Sequence, residues 1–348
     1  MDICKLGDIA KFTTGKLNSN AAQDNGKYPF FTCAPEALKI DDYAFDTEAI
    51  ILAGNNADGN FHIQHFKGKF NAYQRTYVIE SLDENKVDTK YLYYALKTCL
   101  LHFKQISQGS ATKFLTAKIL NSFELPIPEI EIQKKIAGTL GNLDKKIKTN
   151  EAINENLADQ AQAIYQQYFL IEADPNWPLG HLSDLIDVKY GKDHKKLADG
   201  VYPVYGSGGI MRYVERPLYE KESVLIPRKG TLNNVMYVNQ PFWSVDTMFY
   251  TEMKQANVAK FVYHFVKSKD LASMNAGSAV PSMTTAILNA LELRIPSAEA
   301  LLQFENSVAP MYEMMKKNED QSRKLTELRD ALLPKLMSGE IDVSDLDL

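Results

Sequence analysis

The chain has 348 residues, 45% of them hydrophobic, enough for two or three domains with a core each, and no run of eighteen apolar residues that would span a membrane. Its net charge of −5 argues against strong nucleic-acid binding by this chain alone. Its three scattered cysteines (Cys4, Cys33, Cys99) argue against a disulfide frame or a zinc site.

The opening Met1-Asp-Ile-Cys-Lys5 lacks the charged-then-apolar pattern of a signal peptide, so a cytoplasmic protein is expected. Leu6 to Lys16 (LGDIAKFTTGK) introduces a strand-rich region that continues through Gly26-Lys-Tyr-Pro-Phe-Phe31. Ala49-Ile-Ile-Leu-Ala53, bounded by Gly and Asn, reads as a buried strand. The polar loop Gly54 to Asn60 follows, where Asn55 and Asn56 have the amide chemistry that pairs with adenine. Gln74 and Arg75, in Asn71-Ala-Tyr-Gln-Arg75, are candidates for reading a base edge. A tyrosine-rich stretch from Tyr91 to Phe103 reads as helical, and Gly109-Ser-Ala-Thr-Lys113 as a small-residue turn, either a phosphate contact to which Lys113 adds charge or simply a turn before the next element.

The run Ile119-Leu-Asn-Ser-Phe-Glu-Leu-Pro-Ile-Pro128 ends this region, since proline restricts the residue before it and breaks helices. Beyond it Ile136, Leu140, Leu143, Ile147, Asn150, Asn154, Leu157, Ala161, Ile164 and Tyr168 alternate spacings of four and three. That is an a/d seam for a long helix that pairs with another.

The chain then repeats itself. Leu182 to Lys192 (LSDLIDVKYGK) restates Leu6 to Lys16, and Gly200-Val-Tyr-Pro-Val-Tyr205 restates Gly26 to Phe31. Ser223-Val-Leu-Ile-Pro227 is the second buried strand, followed by the donor-rich loop Arg228-Lys-Gly-Thr-Leu-Asn-Asn234. Arg228, Lys229, Asn233 and Asn234 are its candidate contacts. Phe242-Trp-Ser-Val-Asp246 pairs with Asn71 to Arg75, Phe261 to Lys267 reads as a helix, and Gly277-Ser-Ala-Val-Pro281, with Ser278 as a candidate contact, pairs with Gly109 to Lys113. Ile287 to Pro296 repeats Ile119 to Pro128 after 168 residues. A second seam follows at Phe304, Val308, Met311, Met315, Asn318, Ser322, Leu325, Arg329, Leu332 and Leu336, weak at Ser322 and Arg329, where Leu328 and Leu333 stand ready to substitute. Asn150 and Asn318 occupy matching seam positions, as a buried pair that fixes register would. A unit repeated at this length is a domain, not a solenoid repeat.

Charge follows this division. Residues 1–128 carry 14 basic and 14 acidic side chains and residues 173–296 carry 14 and 12, whereas the helical segments 129–172 and 297–348 are net −2 and −5. Catalytic motifs are missing. There is no phosphate-binding G-x-x-x-x-G-K-[ST], no methyltransferase Asn-Pro-Pro-Tyr-like motif, no H-E-x-x-H and no Ser/His/Asp set above chance. Asp174-Pro-Asn-Trp177 reads as a turn, and His62 and His65 as strand or loop residues. The chain is expected to be non-catalytic, without cofactor or metal.

Leu6-Gly-Asp-Ile9, Arg228-Lys-Gly230, Gly-Ser-Ala, and above all Phe123-Glu-Leu-Pro-Ile-Pro128 followed by Glu131-Ile-Gln-Lys-Lys-Ile-Ala137, resemble the specificity subunit of type I restriction-modification systems over the whole length. The second copy departs at Leu301-Leu-Gln-Phe-Glu305, which keeps a glutamine, Gln303, but loses the basic pair. The resemblance implies an α+β protein: two pseudo-twofold-related mixed α/β target-recognition domains (1–128 and 173–296) joined by two long antiparallel coiled-coil helices (129–172 and 297–348). It implies double-stranded DNA, two methyltransferase subunits and a translocase-nuclease subunit as partners, with all catalysis in those partners. Two unlike readers on one frame imply an asymmetric, two-part target with an unread spacer. The rivals are a fused restriction-methylation enzyme, against which the missing motifs speak, and a coiled-coil scaffold that binds only proteins.

Overall fold

The computed structural model describes residues 2–274 and 282–343. It divides into two compact units, Met1–Asn150 with Asp320–Leu348, and Glu151–Glu319. The long helices do not stand apart as domains. The division falls within both, so each unit holds a strand-rich region and one stretch of each helix.

In unit 1 the strand Asp2–Lys5 pairs antiparallel with Glu124–Ile127, tying the beginning of the region to its end. A six-stranded sheet follows in the order Ala10–Thr14, Thr76–Ser81, Phe45–Ala53, Ile63–Ala72, Tyr28–Phe31, Leu38–Ile40. The run from Ala49 to Ala53 is buried on both faces, which explains why it lacks the alternation of a half-exposed strand. Ile50, Leu52 and Ile79 pack in one cluster with Tyr91, Leu92 and Leu96 of the helix Thr89–Thr98. Asp88 caps that helix by accepting from the Tyr91 N–H at 2.7 Å.

The expected continuous helix from Tyr91 to Phe103 is broken at Cys99, and a second helix, Leu100–Ile106, begins there. The Cys99 N–H reaches back three residues to the Leu96 carbonyl, while the Thr98 hydroxyl and Cys99 thiol both donate to the Ala95 carbonyl. Side chains that compete for helix carbonyls favour such a break.

Unit 2 restates this frame. Leu179–His181 pairs antiparallel with Glu292–Arg294, as its counterpart does in unit 1. The buried strand Ser223–Pro227 lies in a four-stranded sheet in the order Ile186–Tyr190, Met248–Met253, Ser223–Pro227, Met236–Val238, beside a three-stranded sheet built on Asp199–Gly206. The helix Ala259–Lys267 packs on this framework. Thr116 and Thr284 cap equivalent short helices, accepting from the N–H groups of Ile119 and Ile287 at 3.2 Å each.

The first long helix spans Ile130–Gln166 and the second Ala298–Ser338, the latter running through Pro310 and Pro334. In each unit their stretches run antiparallel. Asp144 meets Arg329 and Asn150 meets Ser322 in unit 1; Asn154 meets Met315 and Tyr168 meets Ser307 in unit 2. Ile136 and Leu140 are buried with Leu333, Leu336 and Met337, and Ile147 is buried; Leu143, Leu325 and Leu332 are half-buried. Asn150 is buried and donates to Gln321 and Ser322. In unit 2 Val308 is buried, while Leu157, Ile164, Met311 and Met315 are half-buried and Tyr165 and Phe169 sink deeper than the seam residues Ile164 and Tyr168. Asn318 donates to Asn154 Oδ1 at 2.8 Å. Of the two substitutes for the weak seam, Leu333 is buried and Leu328 is 47% exposed, because Arg329 stays in the seam as an ion-paired residue.

Gln133 is fully buried. Its Oε1 accepts from the Asp88 N–H at 2.9 Å, and its Nε2 donates to the carbonyls of Lys86 and Pro128 at 2.8 Å each. Counting from Pro128 and Pro296, its counterpart is buried Leu301, not Gln303, whose side chain is exposed and bonds Glu299.

Candidate nucleic-acid interface

The backbone brings the unit 1 candidates together. Asn55 and Asn56 pair antiparallel with Lys113 and Phe114, so the loop after the buried strand and the small-residue turn lie side by side. The Gly54 N–H donates to the Arg75 carbonyl at 2.8 Å, and the Leu115 N–H donates to the Gly54 carbonyl at 2.9 Å, adding the third segment. An open cleft of about 500 Å³ results, lined by Thr14, Asn55, Gln74, Arg75, Thr112 and Phe114 among others.

At Gly54 a Cβ would lie 2.4 Å from the Arg75 carbonyl oxygen, so a side chain there needs this turn to shift. Gly109, at φ +98°, makes the sharp turn that returns the chain to Phe114. Arg75 is exposed and, among the described residues, its guanidinium has no ion-pair or hydrogen-bond partner. The side chains differ in how far they are committed. The Cys33 thiol donates to Asn55 Oδ1 at 2.7 Å, and Gln74 Nε2 donates to Asn18 Oδ1 at 2.7 Å. Asn56 Oδ1 accepts from the N–H groups of Asp58 and Asn60, an arrangement that shapes its own loop.

Unit 2 has the same wiring. The Arg228 N–H donates to the Thr247 carbonyl and the Met283 N–H to the Arg228 carbonyl, each at 2.9 Å, and Lys229 bridges to Ser282. Phe30 lies opposite Asn71 as Val204 lies opposite Trp243, and Ala53 opposite Thr76 as Pro227 opposite Met248. These registers correct the pairing read from sequence by one residue: Asn71 to Arg75 corresponds to Trp243 to Thr247, not to Phe242 to Asp246. Gln74 therefore matches Asp246, Arg75 matches Thr247, Gly54 matches Arg228 and Asn55 matches Lys229. Side-chain likeness is a poor guide at such a turn, because backbone hydrogen bonds set the register.

Where unit 1 has glycine, unit 2 has Arg228, whose guanidinium lies over the Tyr190 ring (5.4 Å to the centroid) and donates to the Asp246 carbonyl at 3.2 Å. Lys229 is exposed, and Gly230 turns the loop at φ +84°. Asn233 donates to Asp270 and accepts from the Ala272 N–H, and Asn234 donates to the Ser207 carbonyl, so both amides serve loop structure. Ser278 lies outside the described residues.

Sequence reasoning missed Thr14 and Phe114, and did not single out Thr112 and Asp246 within the segments it named. The legible signal was the repeated Gly-Lys of Gly15-Lys16 and Gly191-Lys192. A Cβ on Gly15 would lie 1.7 Å from the Ala72 carbonyl oxygen, and on Gly191 2.0 Å from that of Val245. Each glycine thus presses its strand end, Thr14 or Tyr190, against the reading turn. Among the described residues no cluster of three His, Cys, Asp or Glu side chains is placed to hold a metal ion, and no helix is long and apolar enough to cross a membrane.

Residues 1–159 and 175–307 match the family model described as the type I restriction modification DNA specificity domain. The chain is 38% identical over 153 residues to the type I restriction enzyme EcoDI specificity subunit of Escherichia coli, covering 44% of this chain and 33% of that one. It is 25% identical over 311 residues to the MjaIX specificity subunit of Methanocaldococcus jannaschii, covering 76% and 72%. In fold it is similar to the crystal structure of a type I restriction-modification S subunit from M. genitalium, with a TM-score of 0.67, 20% identity and coverage of 96% and 95%.

Proposed function

The chain belongs to the type I restriction-modification DNA specificity family, and on that premise we propose that it reads an asymmetric, two-part double-stranded DNA target, one part with each unit. The observation that carries this reading is the repeated backbone wiring of the loops: one frame presents Gly54, Asn55, Gln74 and Arg75 in unit 1 and Arg228, Lys229, Asp246 and Thr247 in unit 2. A frame repeated with different side chains at its reading positions suits two different half-sites. The two long helices dock two methyltransferase subunits, a translocase-nuclease subunit completes the restriction complex, and these partners supply catalysis. The unit 1 region is electrically balanced and the unit 2 region only weakly basic, so phosphate contacts by the partners provide much of the affinity.

The test is a gel shift with the purified chain, its cognate methyltransferase and a randomised duplex library, combined with methylation mapping in cells. Retention of a bipartite consensus supports the reading. A complex that assembles without sequence-selective retention or methylation would return the chain to a protein-only scaffold.

A further inference from the structure

Asp246 occupies the apex of the unit 2 reading turn. It is exposed, and among the described residues its carboxylate has no ion-pair or hydrogen-bond partner; only its backbone carbonyl is engaged, by Arg228. Register places it where unit 1 has Gln74, on the rim of the open cleft. A free carboxylate on a surface that approaches a nucleic-acid backbone is repelled by phosphate, so it is unfavourable there unless it meets a base donor. The neighbouring Arg228 and Lys229 offset that repulsion at the same loop.

We propose that Asp246 is a specificity-determining residue that accepts a hydrogen bond from a cytosine N4 amino group in the major groove of the half-site read by unit 2. Cytosine suits a carboxylate better than adenine. Adenine sets its N7 acceptor beside the N6 amino group and repels a second acceptor, whereas cytosine presents a donor without that neighbour. The uncharged Gln74, at the equivalent position, both donates and accepts, so the two half-sites differ in chemistry at this one position. The inference rests on the reading of the chain as a DNA specificity subunit.

The experiment maps methylated sites in cells that express the full chain with its methyltransferase, for the natural chain and for Asp246→Asn, Asp246→Ala and Arg75→Ala. Arg75→Ala alters only the half-site read by unit 1 and thereby identifies which half belongs to which unit. Asp246→Asn shifts one position of the other half-site from cytosine towards adenine. Asp246→Ala relaxes that position, with discrimination falling roughly 5- to 150-fold. An unchanged consensus of unchanged stringency in both Asp246 variants overturns the assignment, as does a change in the half-site that Arg75→Ala alters. If the natural chain gives no bipartite consensus, the DNA-reading function fails with it. Unaltered thermal midpoints show that the exposed substitutions leave folding intact.

Discussion

Arg329 donates to Asp144 Oδ1 at 2.8 Å, and the Tyr94 hydroxyl donates to the other carboxylate oxygen at 2.6 Å, so an ionic node occupies a helix seam where the heptad calls for an apolar side chain. Unit 2 places a neutral node at the same point. There His264, the counterpart of Tyr94, meets the Tyr312 hydroxyl at 2.9 Å and Gln162 Oε1 at 2.8 Å. At this point each unit therefore fastens its recognition region to its helix stretches with polar contacts, ionic in unit 1 and neutral in unit 2.

The ionic node has a defined energetic signature. The Arg329 and Asp144 side chains are 16% and 23% exposed, so Arg329→Ala is expected to cost about 2–3 kcal/mol, less than loss of one partner from a fully buried pair. Replacing both residues with leucine should cost less than the single change, because no carboxylate is then left unpaired. Burial alone would push the Asp144 carboxyl up, but the hydrogen bonds from Tyr94 and Arg329 outweigh it and hold it below the usual carboxylate range. A depressed acid stabilises the fold above its unfolded pKa of about 3.9. The advantage over Asp144→Asn should thus be full at neutral pH and vanish as pH falls below about 4, as followed by thermal melts.

The neutral node also loses stability as pH falls, but because folding favours the uncharged form of its titrating group, not the charged one. Burial, with a smaller contribution from Lys267, pushes His264 down to about 4. Between that value and about 6.5 the unfolded chain binds a proton that the folded chain refuses. Stability should be complete above about pH 6.5 and fall by roughly 3 kcal/mol in total towards pH 4. His264→Gln should remove that component from the pH dependence of urea denaturation. An identical slope in the variant would count against the assignment.

Gln133 offers a test of buried hydrogen bonds against buried volume. Gln133→Ala and Gln133→Leu both strip partners from the Asp88 N–H and from the Lys86 and Pro128 carbonyls. Each is expected to cost about 2–4 kcal/mol, with leucine the milder because it fills the space. Conversely, Leu301→Gln puts an amide into the apolar cluster that buries Leu301, and should also destabilise in chemical denaturation.

The glycines behind the two reading turns should tolerate no side chain. Gly15→Ala and Gly191→Ala each force a Cβ to within 2 Å of a backbone oxygen, at 1.7 and 2.0 Å. We expect each to cost about 2 kcal/mol or more and to blur recognition of one half-site, readable as a one-sided loss in methylation mapping.

Within the proposed function, the cationic residues should divide by role. Arg75→Ala should cost about 1–3 kcal/mol on the cognate duplex and relax one base position. Lys229→Ala should weaken binding about equally on all duplexes and flatten the salt dependence. Titrations at several salt concentrations, with the methyltransferase present, separate the two.

Much of this architecture was legible because its determinants are periodic or local. Buried strands at Ala49–Ala53 and Ser223–Pro227, long helices after Pro128 and Pro296, and the duplicated frame follow from hydrophobic pattern, proline and repetition. The candidate site was half legible. Donor-rich loops marked Asn55, Arg75, Arg228 and Lys229, but loop composition does not say whether an amide faces outward. Asn56 proves to be tied within its own loop, and Asn233 and Asn234 to other segments, at Asp270 and at the Ser207 carbonyl.

The sequence by itself determined that one frame occurs twice and that helices follow each copy, since periodicity and repetition are properties of the chain alone. Tertiary structure decided what depends on partners distant in sequence. It set the register of the reading turns, made Asp246 the counterpart of Gln74, kept Arg329 in the seam through Asp144, and carried the second helix through Pro310 and Pro334. Hydrogen bonds and packing between segments distant in the chain outweigh local propensity at those points, and no local pattern records them.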